Sequence, residues 1–254
     1  MLSKRVIPVL LLRGNGLYKT VQFKNPVYIG DPINAVKIFN EKEVDELCFL
    51  DIEASRNKKE PNYELLGKIL DEAFMPFGYG GNITNVDQVR KLLKMGIEKV
   101  VINTAAFENP RLIPDLYEKF GASTIVAAVD VKKNLFGKYE LYSHDGTKAQ
   151  KGNVFDYCTQ LEKAGAGELL VNSIDRDGKM NGYDIGLIKE IANKVGIPVI
   201  ACGGAGKLED IKMCSDSTNA AAFAAGSMFV YHGPHKAVLI NYPTQAELKE
   251  LLKK

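Results

Sequence analysis

Acidic residues stand at the carboxyl ends of three predicted strands, where they could transfer protons. Asp130 ends a β-branched apolar run, Asp51 nearly ends another, and Asp177 with Gly178 follows a third. Alternation with period two places Asp130 on the same face as small apolar residues, which strands of a closed sheet turn inward. A carboxylate aimed into a cavity can act as general acid or base, so Asp130 is the predicted catalytic residue. Asp177 could equally be a turn residue.

Short segments after four of the predicted strands, three of them with glycine, could bind phosphate, because glycine lets backbone N–H groups approach an anion closely. In the second half of the chain they are Gly203–Gly206 and Ala225–Ser227. In the first half they are Gly80–Asn82 and Asn103–Thr104. Such glycines are also typical of tight strand-to-helix turns, so both interpretations stay open from the residues alone.

Four charged residues begin predicted strands, namely Arg5, Glu46, Lys99 and Glu168. If these side chains point inward, two cations and two anions form a neutral ring at one end of the strands. Burying four charges is costly unless they are paired. Charges that merely flank strands at the solvent boundary would show the same spacing, and the residues alone do not decide between the two arrangements.

The elements that position these residues follow one repeated pattern, in which short apolar runs alternate with amphipathic stretches of helical period. The predicted strands are Arg5–Leu12, Glu46–Ile52, Pro76–Gly80, Lys99–Asn103, Thr124–Asp130, Glu168–Ser173, Ile197–Cys202 and Ala220–Ala225. The predicted helices include Tyr63–Ala73, Val86–Met95, Leu112–Phe120, Val154–Ala164, Ile185–Val195 and Leu208–Cys214. Eight alternating strands predict an α/β fold, a single (β/α)8 TIM barrel over residues 1–254, with an open doubly wound sheet as the alternative.

Two longer segments, Arg13–Asp31 after the first strand and Val131–Lys151 after the fifth, interrupt this pattern. Both are predicted loops on the side where barrel enzymes hold their substrates, and loops of this length are candidates for lids. The second is expected to contain a small hairpin at Lys138–Tyr142.

The chain also repeats itself, which indicates two quasi-repeated half-barrels. A shift of 122 residues aligns Glu46 with Glu168 and Gly81 with Gly203, and a shift of 119 aligns the first strand with the fifth. The second shift places Leu11 at the position of Asp130. Because the repeat duplicates the glycine-rich segments, it predicts two phosphate sites at opposite sides of one barrel mouth, suited to a ligand phosphorylated at each end.

Composition excludes several function classes. A net charge of +2 gives no basic footprint for nucleic acid, and no apolar run approaches the roughly 18 residues of a membrane span. The four cysteines lack CxxC spacing, and the three histidines have no partner at metal-ligand spacing. We therefore expect a cytoplasmic protein with no metal and no cofactor.

Several motifs together resemble the cyclase subunit of imidazole glycerol phosphate synthase, over essentially the whole length. The matching stretches are Lys4–Pro8, Asp45–Leu47, Phe49–Ile52, Lys99, Ile102–Ala106, Ser173–Gly178, Gly182–Asp184 and Gly203–Lys207. The resemblance implies a lyase-type synthase that forms a heterodimer with a glutaminase docked at the N-terminal face of the barrel. Ammonia released there would travel through the barrel to a phosphorylated substrate at the opposite mouth.

The same resemblance assigns roles to individual residues. It implies that the four charged residues Arg5, Glu46, Lys99 and Glu168 form the gate of the ammonia channel. It implies that Lys19 is the lysine of the first substrate loop. The residues with predicted phosphate- or substrate-binding roles are then Lys19, Gly81, Asn82, Asn103, Thr104, Asp177, Gly178, Gly203, Gly204, Ala225, Gly226 and Ser227.

Several positions depart from the family pattern, above all at the mouth. The family carries two catalytic aspartates, and although Asp130 matches the second, Leu11 stands at the first. Other departures are Glu53, Asn82, Val101, Asn172 and Cys202. Family paralogues with a changed mouth help supply nitrogen for acetamidino groups in surface-polysaccharide biosynthesis, and the chain resembles these. Two hypotheses follow: an ammonia-using synthase, or a non-catalytic channel subunit that activates a glutaminase and serves a separate sugar amidotransferase.

Overall fold

The computed structural model describes residues 4–253 and contains a closed barrel of eight parallel strands. The strands in chain order are β1 Arg5–Arg13, β2 Gly16–Val21, β3 Lys24–Gly30, β4 Leu47–Asp51, β5 Phe77–Gly80, β6 Lys99–Ile102, β7 Ile125–Lys133, β8 Tyr139–Ser143, β9 Lys148–Gln150, β10 Glu168–Ser173, β11 Val199–Cys202, β12 Ala222–Ala225, β13 Tyr231–His232 and β14 Ala237–Val238. The barrel order is β1-β4-β5-β6-β7-β10-β11-β12, and β12 pairs with β1. Since β7 also pairs with β10, the ring of eight parallel strands is closed and the doubly wound alternative is excluded.

Helices follow the barrel strands and pack around them. They are α1 Pro32–Glu41, α2 Tyr63–Leu70, α3 Val86–Lys94, α4 Thr104–Glu108, α5 Leu112–Phe120, α6 Val154–Lys163, α7 Ile185–Lys194, α8 Leu208–Ser217, α9 Ser227–Val230 and α10 Gln245–Leu252. Six of them begin after a side chain that accepts a hydrogen bond from the first turn, namely Asp31, Asn62, Asn85, Asn153, Asp184 and Thr244. Such caps satisfy otherwise unpaired N–H groups and fix where each helix starts.

Alternation along the strands divides the core into two layers. On β7, Ile125, Ala127 and Val129 belong to the layer between barrel and helices, whereas Val126 and Ala128 belong to the cluster inside the barrel. The interior cluster is small and wholly apolar apart from two thiols. The predicted inward direction of Asp130 follows from the same alternation. Within residues 4–253, no helix is both long and apolar enough to cross a bilayer.

The segment after the first strand is not a loop, and that prediction was wrong. Strand β1 runs on to Arg13 and pairs with β2, which pairs in turn with β3. The turn between them, Gln22 and Phe23, has φ angles of 54° and 61°. A two-residue turn with both φ angles positive usually contains Asn or Gly. Because Gln-Phe contains neither, no residue type at this position indicates a turn.

The segment after the fifth strand is also largely paired. Strand β7 extends to Lys133 and pairs with β8, and β8 pairs with β9. The hairpin predicted near Lys138–Tyr142 is confirmed. Its residues form strand β8, Tyr139–Ser143, which pairs antiparallel with β7 and with β9. Each half of the barrel therefore begins with a nine-residue strand that carries an antiparallel extension over the mouth, as expected for two related halves.

Candidate active site at the barrel mouth

A cavity of about 410 Å³ opens at the carboxyl ends of the barrel strands, within the usual size of a small-molecule site. It brings together every residue predicted to act in catalysis or binding. Those residues are Lys19, Gly81, Asn82, Asn103, Thr104, Asp130, Asp177, Gly178, Gly203, Gly204, Ala225, Gly226 and Ser227. Their chemical roles remain predictions, but their common location is that of active sites in (β/α)8 barrels.

Asp130 lies on the inner face of β7 at the floor of this cavity. Asn103 Nδ2 donates to Asp130 Oδ2 at 3.2 Å and to the Ala128 carbonyl at 3.1 Å, which fixes the carboxyl group against the barrel wall. Burial, together with the nearby carboxylates of Asp145 and Asp177, raises the pKa of Asp130 to about 8. Asp130 therefore holds a proton near neutral pH and can donate it.

Leu11 faces the same cavity from strand β1. It lies in register with Leu50 on β4, and both side chains pack against the apolar cluster inside the barrel. The first half of the barrel thus presents an apolar wall where the second half presents Asp130. Leu11 has no group that exchanges a proton.

The second half of the mouth contains a buried cation. Lys19 is 7 % exposed, and its Nζ donates to the Val9 carbonyl at 3.0 Å. A Cβ atom on Gly226 would stand 1.7 Å from this Nζ, so the ammonium lies directly against the glycine-rich loop. Burial lowers the pKa of Lys19 to about 8, and the charge of Asp177 opposes that change. A phosphate at Gly226 would supply the negative charge that a buried ammonium favours.

Asp177 and Gly178 connect this half of the mouth to the β2–β3 hairpin. Asp177 Oδ2 accepts from Thr20 Oγ1 at 3.0 Å and from the Phe23 amide at 3.3 Å. The Asp177 carbonyl accepts from the Gln22 amide at 3.0 Å. These bonds hold the hairpin, and with it Lys19, over the cavity.

Polar side chains in the first half of the mouth are engaged by the protein itself. Asn82 Nδ2 donates to the Lys59 carbonyl at 2.8 Å, and Thr104 Oγ1 accepts from the His144 amide at 3.0 Å. Carboxylates stand beside them, since Asp51, Glu53 and Asp145 all line the cavity. Polar groups of the first half are therefore already bonded within the protein, whereas in the second half the ammonium of Lys19 lies against Gly226.

At the opposite end of the barrel, the four predicted gate residues form a closed ring of ion pairs. Arg5 contacts Glu46 at 2.6 Å and Glu168 at 2.7 Å, and Lys99 contacts Glu46 at 2.9 Å and Glu168 at 3.1 Å. The structure thus places all four side chains inward, the first of the two arrangements left open by the sequence. Each charge has two opposite partners, which offsets the cost of its partial burial.

A small cavity of about 10 Å³ lies between this ring and the mouth, with Glu46 and Lys99 at one side. It has room for about one water-sized molecule. Val9, Val101 and Leu170 line both this cavity and the larger one. Only a thin apolar layer therefore separates the charged ring from the mouth.

Four charged residues at the mouth were not predicted to act there. Arg13 pairs with Glu53 at 2.6 Å, and Arg56 Nε lies 3.9 Å from Asp145 Oδ2. Glu53 was recognised only as a departure from the family pattern. Asp145 gave no signal, because the His-Asp-Gly segment reads as an ordinary turn until the fold carries that turn over the mouth.

A closed (β/α)8 barrel with its cavity at the carboxyl ends of the strands has the architecture of a barrel enzyme. The chain matches the model of the family described as histidine biosynthesis protein over residues 5–236, and it belongs to that family.

Three individual proteins are similar to the chain over nearly its whole length. The chain is 50 % identical over 243 residues to a Pseudomonas aeruginosa protein provisionally named imidazole glycerol phosphate synthase subunit hisF2, covering 96 % of this chain and 97 % of that protein. A Vibrio vulnificus protein provisionally named subunit hisF3 is 48 % identical, with 99 % and 97 % covered. Imidazole glycerol phosphate synthase subunit HisF of Streptococcus sanguinis is 36 % identical, with 91 % and 92 % covered. Of these three, the provisionally named proteins share more residues with the chain.

Proposed function

We propose that the chain is the ammonia-using, cyclase-type synthase subunit of a glutamine amidotransferase. One arrangement carries the proposal: a charged ring, an apolar interior and a cavity with a protonated carboxyl group follow one another along the barrel axis. A glutaminase partner would dock at the N-terminal face, beside the ring, and a phosphorylated small molecule would bind at the mouth.

The barrel interior suits neutral ammonia. Its lining between ring and mouth consists of apolar side chains, small alanines and the protonated thiol of Cys48. Burial raises the pKa of the Cys48 thiol well above its ordinary value, so this side chain stays neutral. An ammonium ion would lose its hydration there without a compensating charge, whereas ammonia would not. Passage of ammonia requires that the ring of Arg5, Glu46, Lys99 and Glu168 opens by a side-chain movement.

At the mouth, the geometry supports distinct roles for a few groups. Asp130 would donate a proton as ammonia attacks the substrate, since its raised pKa keeps it protonated near neutral pH. Lys19 and the backbone at Gly203, Gly204 and Gly226 would hold a phosphate in the second half of the mouth.

Leu11 favours a second candidate function. A non-catalytic channel subunit needs the ring and the interior but no proton donor on β1, and it would pass ammonia to a separate sugar amidotransferase. Loss of a general acid or base commonly costs about two to four orders of magnitude in rate. The two functions therefore differ in measurable turnover.

The test supplies purified chain with the bifunctional ribonucleotide substrate of histidine biosynthesis and ammonium at pH about 8. The synthase proposal predicts turnover about 100-fold or more below that of the Streptococcus sanguinis subunit, and a gain of at least about 10-fold in Leu11→Asp. Leu11→Asn is the matched control, because it is as polar as the Asp variant but carries no titratable group.

The outcomes separate the candidates. A gain in Leu11→Asp but not in Leu11→Asn supports a synthase that lacks one proton-transfer group. No turnover in any variant, together with ammonia transfer from a co-purified glutaminase to a sugar amidotransferase, would support the channel subunit and contradict the synthase proposal for this substrate.

A further inference from the structure

The turn between β8 and β9 brings a second carboxylate to the mouth. Asp130 on β7 is in register with Tyr142 on β8, and Asp145 follows three residues later. Gly146, next in the chain, lies close to Phe23 of the β2–β3 hairpin, where an added Cβ would be 2.8 Å from its ring. The turn therefore folds inward over the cavity, and Asp145 is among the residues that line it.

Hydrogen bonds hold this turn in a strained conformation. His144, Asp145 and Gly146 have φ angles of 53°, 55° and 72°, three successive residues in the left-handed region. The His144 amide donates to Thr104 Oγ1 at 3.0 Å, and Thr104 directly follows Asn103, which binds Asp130. Left-handed residues other than glycine cost energy and persist where surrounding contacts enforce them. The same short path thus links the backbone beside Asp145 to the carboxyl group of Asp130.

The Asp145 carboxylate is poorly satisfied by the protein. Its Oδ2 is buried and has no hydrogen-bond partner among the described residues, and its side chain is 20 % exposed. The facing charges are Arg56 at 3.9 Å, Glu53 from the same segment after β4, Asp51 at the end of β4 and Asp130 from β7. The neighbouring His144 ring turns away to Glu108. An orphaned carboxylate oxygen in a cavity is a candidate proton acceptor.

We infer that Asp145 is the second proton-transfer carboxylate of this mouth and forms a coupled pair with Asp130, partly offsetting the absence of a carboxylate on β1 at Leu11. Asp145 reaches toward the segment after β4, the strand that pairs with β1 beside Leu11. The pair is asymmetric because burial raises the pKa of Asp145 to about 6 but that of Asp130 to about 8. Between these values Asp145 is a base while Asp130 is still an acid.

The inference rests on the proposed function and concerns ammonia addition to a carbonyl group of the phosphorylated substrate. As the nitrogen of ammonia bonds to the carbonyl carbon, the C=O π pair moves to oxygen, which takes the Asp130 proton. The nitrogen releases its excess proton to the Asp145 carboxylate. The products are a neutral carbinolamine, ionised Asp130 and protonated Asp145, and exchange with solvent restores the pair.

Asp145→Asn is the variant of choice, since Asn also tolerates left-handed backbone and should preserve the turn. The first measurement follows the carboxyl ¹³C signal of Asp130 with pH in aspartate-labelled protein, assigned by Asp130→Asn. We expect Asp130 to titrate at a pH lower by roughly one in Asp145→Asn, because the like charge is gone. Asp216→Asn, which removes an exposed carboxylate on α8, is the matched control and should leave the titration unchanged. An unchanged Asp130 titration in Asp145→Asn would overturn the pair.

The second measurement is turnover of the histidine-pathway ribonucleotide with ammonium. Asp145→Asn should lower kcat by about 100-fold and should remove the increase of kcat with pH near pH 6. Asp145→Glu should restore part of the rate. Wild-type turnover in Asp145→Asn would also overturn the inference. If the wild type itself gives no turnover, the proposed function fails for this substrate, and the Asp130 titration still decides whether the pair exists.

Discussion

Asp130 illustrates how one residue couples chemistry to stability. The folded protein holds the Asp130 proton up to about pH 8, whereas an ordinary aspartate loses it near 3.8. Between these values the unfolded chain binds fewer protons than the folded one, so the contribution of Asp130 to stability falls as pH rises. The stability that Asp130 contributes is fully present below pH about 4 and is lost by pH about 8.

Asp130→Asn should therefore stabilise the fold, and increasingly so at higher pH. At pH 8 we expect a gain of about 1–2 kcal/mol, because the variant removes a partly buried group that tends to ionise but keeps an acceptor for Asn103. Near pH 5 the gain should be much smaller. Denaturant unfolding at pH 5, 6.5 and 8 measures this, and Asp216→Asn serves as the exposed control. Destabilisation at pH 8, or a gain independent of pH, would contradict a raised pKa.

The sequence was sufficient to predict the position of a site residue where the local strand geometry determines which way its side chain points. Period-two alternation was enough to place Asp130 inside the mouth, and strand starts were enough to nominate Arg5, Glu46, Lys99 and Glu168. It failed for Asp145, whose position depends on a turn anchored by Thr104, 41 residues earlier in the chain. The pKa of Asp130 depends first on burial and then on carboxylates from distant segments, neither of which the local sequence reveals.

At the scale of elements, the β2–β3 hairpin is the main difference between prediction and structure. It carries Lys19 over the mouth and rests on the loop after β10, where a Cβ on Gly178 would stand 2.2 Å from the Thr20 carbonyl. The barrel strands were predicted closely because buried apolar runs mark them. The hairpin lacks such runs, since β3 is mostly exposed, and its pairing with the long end of β1 supplies the order instead.

Gly178→Ala should displace this hairpin while the barrel stays folded. The new methyl group cannot fit against the Thr20 carbonyl, so Lys19 should move away from Gly226 and affinity for inorganic phosphate should fall by about 10-fold or more. Calorimetric titration with phosphate and far-ultraviolet circular dichroism measure the two effects. Gly233→Ala is the matched control, because Gly233 has the same φ of 69° but no atom within 4 Å of an added Cβ. Equal phosphate affinity in both variants would show that the hairpin does not support the site.

At the scale of the whole molecule, the barrel joins two ends with different electrostatics through an apolar interior. The ring holds four charges in mutual contact, and removing one leaves a partly buried charge without full compensation. Lys99→Met should cost about 3 kcal/mol of unfolding free energy, whereas the double variant Lys99→Met, Glu46→Gln should recover part of that loss because the ring is neutral again. Denaturant unfolding of Lys99→Met, of Glu46→Gln and of the double variant gives the coupling energy.

The ring variants also test whether the barrel conducts ammonia from a glutaminase. With the partner bound, Lys99→Met should lower product formed per glutamine hydrolysed, because a ring with an altered opening releases ammonia to solvent instead of admitting it to the interior. Activity with external ammonium should stay near wild type, since the mouth is untouched. The exposed pair of Lys212 and Asp216 provides the control. Lys212→Met should change neither the product formed per glutamine hydrolysed nor the activity with external ammonium. Full coupling in a folded Lys99→Met complex would mean that the ring stabilises the barrel floor and takes no part in passage, in which case nitrogen reaches the mouth by another route.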